Sequence, residues 1–175
     1  TEFINAVEEA IRLTKEGKRI VVADFANILL GIIAPSARVM MCDISPCGGG
    51  RRYVAVAANG NAYPCGEFIG MEDFIGGNIF TDSIESIVSS KNLLKVTRRS
   101  VDNIPECKTC TFKNMCGSPC PAEMYAADPN MLQKSYYCEF YKQIVIHAFK
   151  VIARNDIEHV VKTASLTELY NLQST

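Results

Sequence analysis

The segment CKTCTFKNMCGSPCP runs from Cys107 to Pro121. It places four cysteines in the spacing C-x2-C-x5-C-x3-C, with a proline directly after the last one. The chain has 175 residues and eight cysteines, so half of its cysteines lie in this one stretch. Four thiols at such short intervals predict a site that gathers sulfur ligands. The other four cysteines, at positions 42, 47, 65 and 138, have to be placed in the same scheme.

The composition is that of an ordinary globular protein, with 48% hydrophobic residues, 21% charged residues and a net charge of −1. Such a balance gives no electrostatic reason to expect nucleic acid or an anionic membrane as a partner. The most apolar stretch, IVVADFANILLGIIAP, is interrupted by Asp24 and Asn27 and falls short of the ~20 residues of a spanning helix. We therefore expect no membrane partner and, with no sign of secretion, a cytoplasmic protein.

Both ends of the chain have helical character. Apolar residues recur at helical spacing over residues 3–16, before Gly17, and a second apolar segment covers 20–33. The pattern predicts a break at 34–36 and a further helix over 131–153. The expected organisation is a helical segment at 1–41, a cysteine-rich domain at 42–153 and a tail at 154–175. A chain that starts in helical pattern and without Met favours a fragment of a longer protein.

Between Cys47 and Cys65 the sequence predicts a β-hairpin. Residues 53–58 are strand-like, and Asn59-Gly60 is a strong signal for a two-residue turn because both residues tolerate positive φ. The hairpin would swing Cys65 back toward Cys47. The expected cross-strand pairs are Ala58 with Asn61, Val56 with Tyr63, and Val54 with Cys65.

The segment between the hairpin and the dense cysteine stretch is expected to be loop and short helix. FIGMEDFIGGNIF, with its glycines, predicts a loop with tight turns. TDSIESIVSSKNLLKV predicts a short helix capped by Thr81 or Asp82. With the hairpin and the flanking helices, these elements predict a small α+β domain.

Disulfides and structural zinc are two of the three uses open to the cysteines. A chain with this apolar fraction does not need disulfide cross-links to fold, and nothing indicates secretion. Zinc fits C-x2-C as a half-site, and two four-cysteine sites would use all eight thiols. Zinc ribbons, however, usually show paired C-x2-C knuckles, whereas this chain has one such pair and its two histidines, His147 and His159, follow the last cysteine. A zinc-holding interaction module without a redox role stays open as the alternative function.

Iron–sulfur clusters are the third use, because a [4Fe–4S] cluster takes four thiolates and eight cysteines suit two clusters. The bacterial ferredoxin run C-x2-C-x2-C-x3-C-P is a close parallel, and its fourth cysteine ligates the other cluster. In the same way, Cys107, Cys110 and Cys116 can hold three corners of one cluster. Cys120, turned away by Pro121, is then able to reach a second cluster.

The cysteine pattern resembles the SPASM domain, the C-terminal auxiliary-cluster module of radical SAM enzymes that mature peptides and proteins. That family's pattern is C-x9–15-G-x4-C, a gap, C-x2-C-x5-C-x3-C, a gap and a final cysteine. Here Cys47, Gly60 and Cys65 give C-x12-G-x4-C, the stretch quoted above gives the middle block, and Cys138 closes the pattern. The motif glycine is the turn residue of the predicted hairpin. The resemblance covers residues 42–138.

The resemblance implies two [4Fe–4S] clusters with crossed ligation. The first auxiliary cluster would be held by Cys42, Cys47, Cys65 and Cys120. The second would be held by Cys107, Cys110, Cys116 and Cys138. Cys42 is the only candidate for the fourth ligand of the first cluster, because it is the one remaining cysteine upstream of Cys47. An aerobic sample could hold zinc at the same positions.

The resemblance also implies what the whole protein does and what this chain lacks. Radical SAM enzymes carry C-x3-C-x2-C in a β/α barrel, and this spacing is absent here, so S-adenosylmethionine would bind a barrel in cis, preceding this domain. The barrel would generate a substrate radical, and the auxiliary clusters would take up its electron or position the substrate, a peptide or protein. The helical segment at 1–41 would be the end of that barrel or the bridge from it.

Few residues other than the cysteines are candidates for the chemistry. Sulfatase-maturing relatives have an aspartate base after the second hairpin cysteine, whereas this chain has Gly66 and then Glu67, which is a candidate proton acceptor. This departure favours a maturase that forms thioether or related crosslinks in peptides. Tyr136 and Tyr137 are expected to pack in the core, and the histidines to be structural or exposed. The cations near ligands in sequence, expected mainly at the surface, are Arg51, Arg52, Lys108 and Lys113.

Overall fold

The computed structural model describes residues 1–35, 40–42, 44–117 and 120–162. These residues divide into two compact units. One consists of Thr1–Met40 together with the described residues from Cys138 onward, and the other of Met41–Tyr137. Within the described residues, no helix is long and apolar enough to cross a membrane.

The unit that contains the N-terminus is helical. Helix α1 spans Glu2–Lys15, and the Thr1 side chain caps it by accepting a hydrogen bond from the Ile4 amide at 3.4 Å. Helices α2, Ala23–Ile33, and α8, Cys138–Ala153, pack against each other, and α1 packs against the short helix α9, Ile157–Val160. Helix α1 buries one apolar stripe, as its spacing predicted. The break predicted at 34–36 falls partly outside the described residues.

Helix α8 is shorter than the sequence predicted. It begins at Cys138, whereas the apolar pattern predicted a helix from Met131. Met131 has a φ of +53°, which α-helix does not allow, and its side chain is buried. The buried Ser135 hydroxyl accepts a hydrogen bond from the Tyr137 amide at 2.9 Å, which closes a turn directly before the helix. The Met131 side chain therefore packs in the core of the unit Met41–Tyr137, and the residue is not part of a helix.

The second unit contains a three-stranded antiparallel sheet in the order β1-β2-β3. Its strands are β1, Ala55–Val56, β2, Asn61–Tyr63, and β3, Gly77–Asn78. The predicted hairpin is present, but its register is wrong by one residue. Ala55 pairs with Tyr63 and Val56 with Ala62, so the turn has three residues and not two. Strand β3 had not been predicted from the sequence.

The predicted helix after the sheet is two helices, with caps other than those expected. Helices α3, Ile84–Val88, and α4, Lys91–Thr97, are capped by the hydroxyls of Ser83 and Ser90. The Asp82 carboxylate accepts a hydrogen bond from the Asn78 amide at 2.7 Å and is therefore held by the sheet.

The cysteine-rich stretch folds into three short helices. They are α5, Pro105–Lys108, α6, Lys113–Cys116, and α7, Pro121–Ala127. Two further turns of 3₁₀ helix, Gly66–Phe68 and Glu72–Phe74, lie where the sequence predicted only loop. They bring Phe68 and Phe74 into the core, with ring centroids 4.3 Å apart. The buried residues of this core are Tyr63, Phe68, Phe74, Val96, Ala122, Met124 and Met131.

Candidate metal centre

The loop that carries Cys47 is held against the end of strand β2. The Gly50 amide donates to the Pro64 carbonyl at 2.8 Å and to the Tyr53 carbonyl at 2.9 Å. A β-carbon on Gly49 would lie 3.1 Å from the Pro64 oxygen and 3.5 Å from the β-carbon of Cys65. A glycine at this position therefore allows the backbone of the Cys47 loop to approach Cys65 closely. The hairpin brings the two cysteines together, as the sequence predicted, although by a different register.

Cys120 lies with Cys47 and Cys65. Burial raises the pKa of the Cys47 thiol, and the neighbouring Cys120 raises it further. Burial likewise raises the pKa of Cys65, with added contributions from Cys120 and Cys47. All three half-buried side chains pack against the core that contains Phe68 and Phe74. Cys120 therefore groups with two cysteines far away in sequence.

Backbone amides point at two of these sulfur atoms. The Gly49 amide donates to the Cys47 Sγ at 3.4 Å. Amides of Glu67 and Phe68, in the 3₁₀ turn, hydrogen-bond to Cys65 and lower its pKa against the effect of burial. Donors of this kind stabilise a thiolate and, in cluster proteins, tune the ligated sulfur.

Cys42 joins the same neighbourhood through Tyr53. The pKa of Tyr53 is raised, first by burial and then by the nearby Cys42, Cys47 and Cys65. A side-chain hydrogen bond between Tyr53 and Cys42 contributes to the same shift. Cys42 is exposed, unlike the three other cysteines of the first set. Tyr53 was not singled out from the sequence, where it is one apolar residue of a strand.

Three cysteines of the second predicted set lie on the short helices after the sheet. Cys107 is in α5, Cys110 follows it with its amide 2.9 Å from the Cys107 carbonyl, and Cys116 ends α6. Gly117 follows with a φ of +70° and turns the chain away from α6. Cys138, the fourth predicted ligand, is the first residue of α8 and belongs to the other unit.

The eight cysteines are all described and are present as thiols. Within the part of the chain that the structure describes, no three or more His, Cys, Asp or Glu side chains form a group that could hold a metal ion. The thiols of the first set are nevertheless neighbours. As ligands, four thiols supported by amide donors match the chemistry of an iron–sulfur cluster.

The four basic residues that lie near cysteines in sequence differ in their contacts and exposure. Arg51 donates to the carbonyls of Pro46 and Cys47 at 2.8 and 3.1 Å, so it fixes the Cys47 loop. Lys113 pairs with Asp102 at 2.7 Å. Arg52 and Lys108 are exposed.

Arg99 is a buried cation that could not be singled out from the sequence. It is 6% exposed, and its Nε donates to the Met131 carbonyl at 2.7 Å. In sequence it is one of two adjacent arginines after an apolar helix, and that pattern does not say which of the two is buried.

Glu67 lies beside the first cysteine set but at the surface. It lines a cleft of about 530 Å³ together with Cys120 and Glu123. Tyr136 and Tyr137 are 70% and 57% exposed, so the prediction that they pack in the core is wrong. His147 is buried against Phe25, with its Nε2 2.7 Å from a Glu8 carboxylate oxygen.

Part of the cysteine-rich region is similar to a known protein family. Residues 47–111 match the model of SPASM, an iron–sulfur cluster-binding domain. This part of the chain is therefore similar to SPASM domains. The resemblance found from the cysteine spacing is therefore confirmed.

Two similar proteins are longer than the present chain. An uncharacterized protein of Archaeoglobus fulgidus is 50% identical over 171 residues, which are 98% of this chain and 41% of that protein. A cysteine-type anaerobic sulfatase-maturating enzyme of Clostridium perfringens is 26% identical over 94 residues, 54% of this chain and 25% of the enzyme. The chain therefore spans less than half the length of these relatives.

Solved structures share the fold. Histidine-tagged anSMEcpe with bound AdoMet has a TM-score of 0.72 at 19% identity, over 98% of this chain and 43% of its own. Native anSMEcpe with bound AdoMet and the Cp18Cys peptide has a TM-score of 0.69 at 20% identity, over 87% of this chain and 41% of its own. The α+β class predicted from the sequence is confirmed.

Proposed function

We propose that this chain is the auxiliary-cluster domain of a radical SAM enzyme that modifies a peptide or protein. The convergence of Cys120 with Cys47 and Cys65 is the observation that carries the proposal, because it matches the crossed ligation expected for two clusters. Cys42, which hydrogen-bonds with Tyr53, is the proposed fourth ligand of the first set. The second set is Cys107, Cys110, Cys116 and Cys138.

The two clusters, when bound, would accept an electron from the substrate radical. The residues of this chain hold and shield them: amides of Gly49, Glu67 and Phe68 point at ligand sulfurs, and the apolar core limits water at one side of the first set. S-adenosylmethionine would bind a barrel outside these 175 residues. We expect a cytoplasmic setting, because thiolate ligands have to stay reduced.

A peptide substrate is supported by the relatives. One similar structure contains a bound peptide, and one similar sequence is a sulfatase-maturating enzyme. Gly66 stands at the position where the aspartate base of sulfatase-maturing enzymes is expected, so we favour another modification, such as a thioether crosslink. Glu67, which lines a cleft together with Cys120, is the candidate proton acceptor.

Anaerobic reconstitution of the 175-residue chain tests the proposal. We expect about eight iron and eight sulfide per chain, with broad absorption near ~400 nm. Tight binding of two zinc ions, with iron and sulfide refused in the absence of oxygen, would instead support the alternative, a zinc-binding interaction module without a redox role.

Paired substitutions test the ligand grouping. Cys110→Ala with Cys116→Ala removes two ligands of one proposed set, so about four iron should remain. Cys116→Ala with Cys120→Ala removes one ligand from each set, so loading of both clusters should be impaired. If the second pair retained one intact cluster with the spectrum of the first pair, Cys120 would belong with Cys116, and the crossed arrangement would be wrong.

A further inference from the structure

Arg99 is a buried cation among the cysteines of the second unit. Its side chain is 6% exposed, and the hydrogen bond from Nε to the Met131 carbonyl, at 2.7 Å, fixes the direction of the guanidinium. Met131 is itself anchored, since it is 5% exposed and belongs to the apolar core. A guanidinium held in this way has little freedom to move toward solvent.

The surroundings of Arg99 include thiols of both proposed sets. Burial lowers the pKa of Arg99, and the neighbouring Cys107, Cys47 and Cys120 act in the opposite direction and favour its charged form. Cys47 and Cys120 belong to the first set and Cys107 to the second. Arg99 in turn partly offsets the raised pKa of Cys47, and both Cys47 and Cys120 pack against the core that contains Met131. One cation therefore interacts with sulfur ligands of both sets.

Because the Arg99 guanidinium is buried, its stability depends on the charge of the groups around it. A guanidinium removed from water is costly unless negative charge compensates it. Thiolate-bound clusters carry that negative charge, and it increases by one unit when a cluster is reduced. A fixed positive charge nearby stabilises the reduced form more than the oxidised form.

We propose that Arg99 is a fixed cation shared by the two cluster sites, where it raises the reduction potentials of both clusters. The inference rests on the proposed function, since it requires that the two sets hold clusters. Arg99 acts on the ligated sulfurs through the electric field of its guanidinium, which the hydrogen bond to Met131 holds in place.

The test is a mediated potentiometric titration of the reconstituted 175-residue chain, with the reduced clusters followed by electron paramagnetic resonance. Arg99→Met keeps the apolar stem of the side chain and removes the charge. We expect the oxidised-to-reduced ratio at a fixed potential to rise about tenfold at both clusters, which is about 59 mV for a one-electron couple. Arg99→Lys keeps a positive charge and should stay close to the unaltered chain.

Arg98→Met is the matched control, because Arg98 is adjacent and exposed. It removes the same charge in the same chemical exchange, and it should leave both potentials unchanged, since solvent screens an exposed charge. Equal shifts for Arg98→Met and Arg99→Met would overturn the proposal. So would a loaded Arg99→Met chain with unchanged potentials, or a shift confined to one cluster.

Two further results distinguish failure of the Arg99 proposal from failure of the proposed cluster-binding function. If the unaltered chain takes up no iron and sulfide, the proposed function fails before any variant is compared. If Arg99→Met cannot be loaded, Arg99→Lys decides: normal loading with near-normal potentials supports a role for the charge. Loss of loading in both variants would mean that Arg99 serves only to support the fold around Met131, and the proposal would be wrong.

Discussion

Gly60 shows how one residue can satisfy two separate structural demands. Its φ is +85°, in the region that L side chains rarely adopt. A β-carbon there would also lie 2.5 Å from the Phe80 ring and 2.6 Å from the Asn78 Oδ1. Phe80 is 76% exposed and can turn away. Asn78 cannot easily do so, because its side-chain amide bonds to the Asn59 carbonyl and the Asn61 side chain at 2.9 and 3.0 Å.

Replacing Gly60 by Ala should therefore destabilise the chain by about 2 kcal/mol, the sum of a strained backbone and a displaced Asn78. Gly70 has a φ of +91° but open space around it, so Gly70→Ala isolates the backbone contribution at about 1 kcal/mol. Urea unfolding with an unchanged m-value provides the comparison. Equal losses in the two variants would show that the contact with Asn78 contributes nothing.

Among the structural elements, the β-hairpin was only partly predictable from the sequence. Asn59-Gly60 correctly located the turn, but two-residue and three-residue turns both use a glycine at positive φ, so the sequence could not separate them. The structure has the longer turn, with the Asn61 amide donating to the Asn59 Oδ1 at 3.1 Å and the Gly60 amide to the Ala57 carbonyl at 2.9 Å. The strand register was wrong for that reason.

The predicted start of helix α8 was wrong because contacts between residues distant in sequence decide the conformation there. Residues 131–137 were predicted to be helical, yet the hydrogen bond from Arg99 holds the Met131 carbonyl, and φ at Met131 is positive. Neither fact can be derived from local sequence. The proposed grouping of the cysteines came from the resemblance of their spacing to a known family, whereas Tyr53 and Arg99 lie near those cysteines only through the tertiary fold.

The serine caps of α3 and α4 give a test at this scale. The Ser90 hydroxyl accepts a hydrogen bond from the Leu93 amide at 3.3 Å, and the Ser83 hydroxyl caps α3 by accepting one from the Ser86 amide at 3.2 Å. Ser90→Ala should lower stability by about 1 kcal/mol, because it leaves a helix amide without its acceptor.

Ser86→Ala is the control for this measurement. Ser86 is an exposed residue of helix α3, and Ala has a higher helix propensity than Ser. The unfolding free energy of the Ser86→Ala variant should therefore be unchanged or slightly increased. Thermal unfolding followed by circular dichroism would compare the two variants. Similar losses for Ser86→Ala and Ser90→Ala would contradict the assignment of Ser90 as a cap.

At the scale of the whole molecule, segments from the two ends of the described chain meet within one unit. In this unit, Asp156 is 7% exposed, with Oδ1 2.6 Å from Lys15 Nζ and Oδ2 3.2 Å from Arg154 Nε. The hydrogen bond from Lys15 is the main cause that lowers the pKa of Asp156 below its ordinary 3.8. The carboxylate thus ties α1 to the segment that precedes α9.

The sign of this shift predicts a pH dependence. A carboxyl group with a lowered pKa in the folded state stabilises the fold above its unfolded pKa and loses that contribution as the pH falls below it. Asp156→Asn should therefore reduce stability at pH 7 by about 1–2 kcal/mol. Its difference from the unaltered chain should stay constant from about pH 8 to about pH 5 and shrink below about pH 4.

Glu158→Gln provides the comparison for this pH series, because the Glu158 side chain is 65% exposed. Unfolding midpoints measured across the range should be nearly those of the unaltered chain. A deficit in Asp156→Asn that persisted undiminished at about pH 3 would show that packing, and not the charge of Asp156, accounts for the effect.

The hairpin affects the order in which the first cysteine set can assemble. Cys47 and Cys65 are 18 positions apart, and the hydrogen bonds of Gly50 hold the ends of that loop together. The entropy of closing the loop is thus lost when the sheet forms, and in the proposed site an arriving metal would meet two thiols at high effective concentration. Cys120 lies 55 positions further along and packs against the aromatic core, so it would join the proposed site only once that core has formed. Capture of iron by the hairpin pair would precede closure of the site, with Cys120 as the last ligand from this unit to arrive.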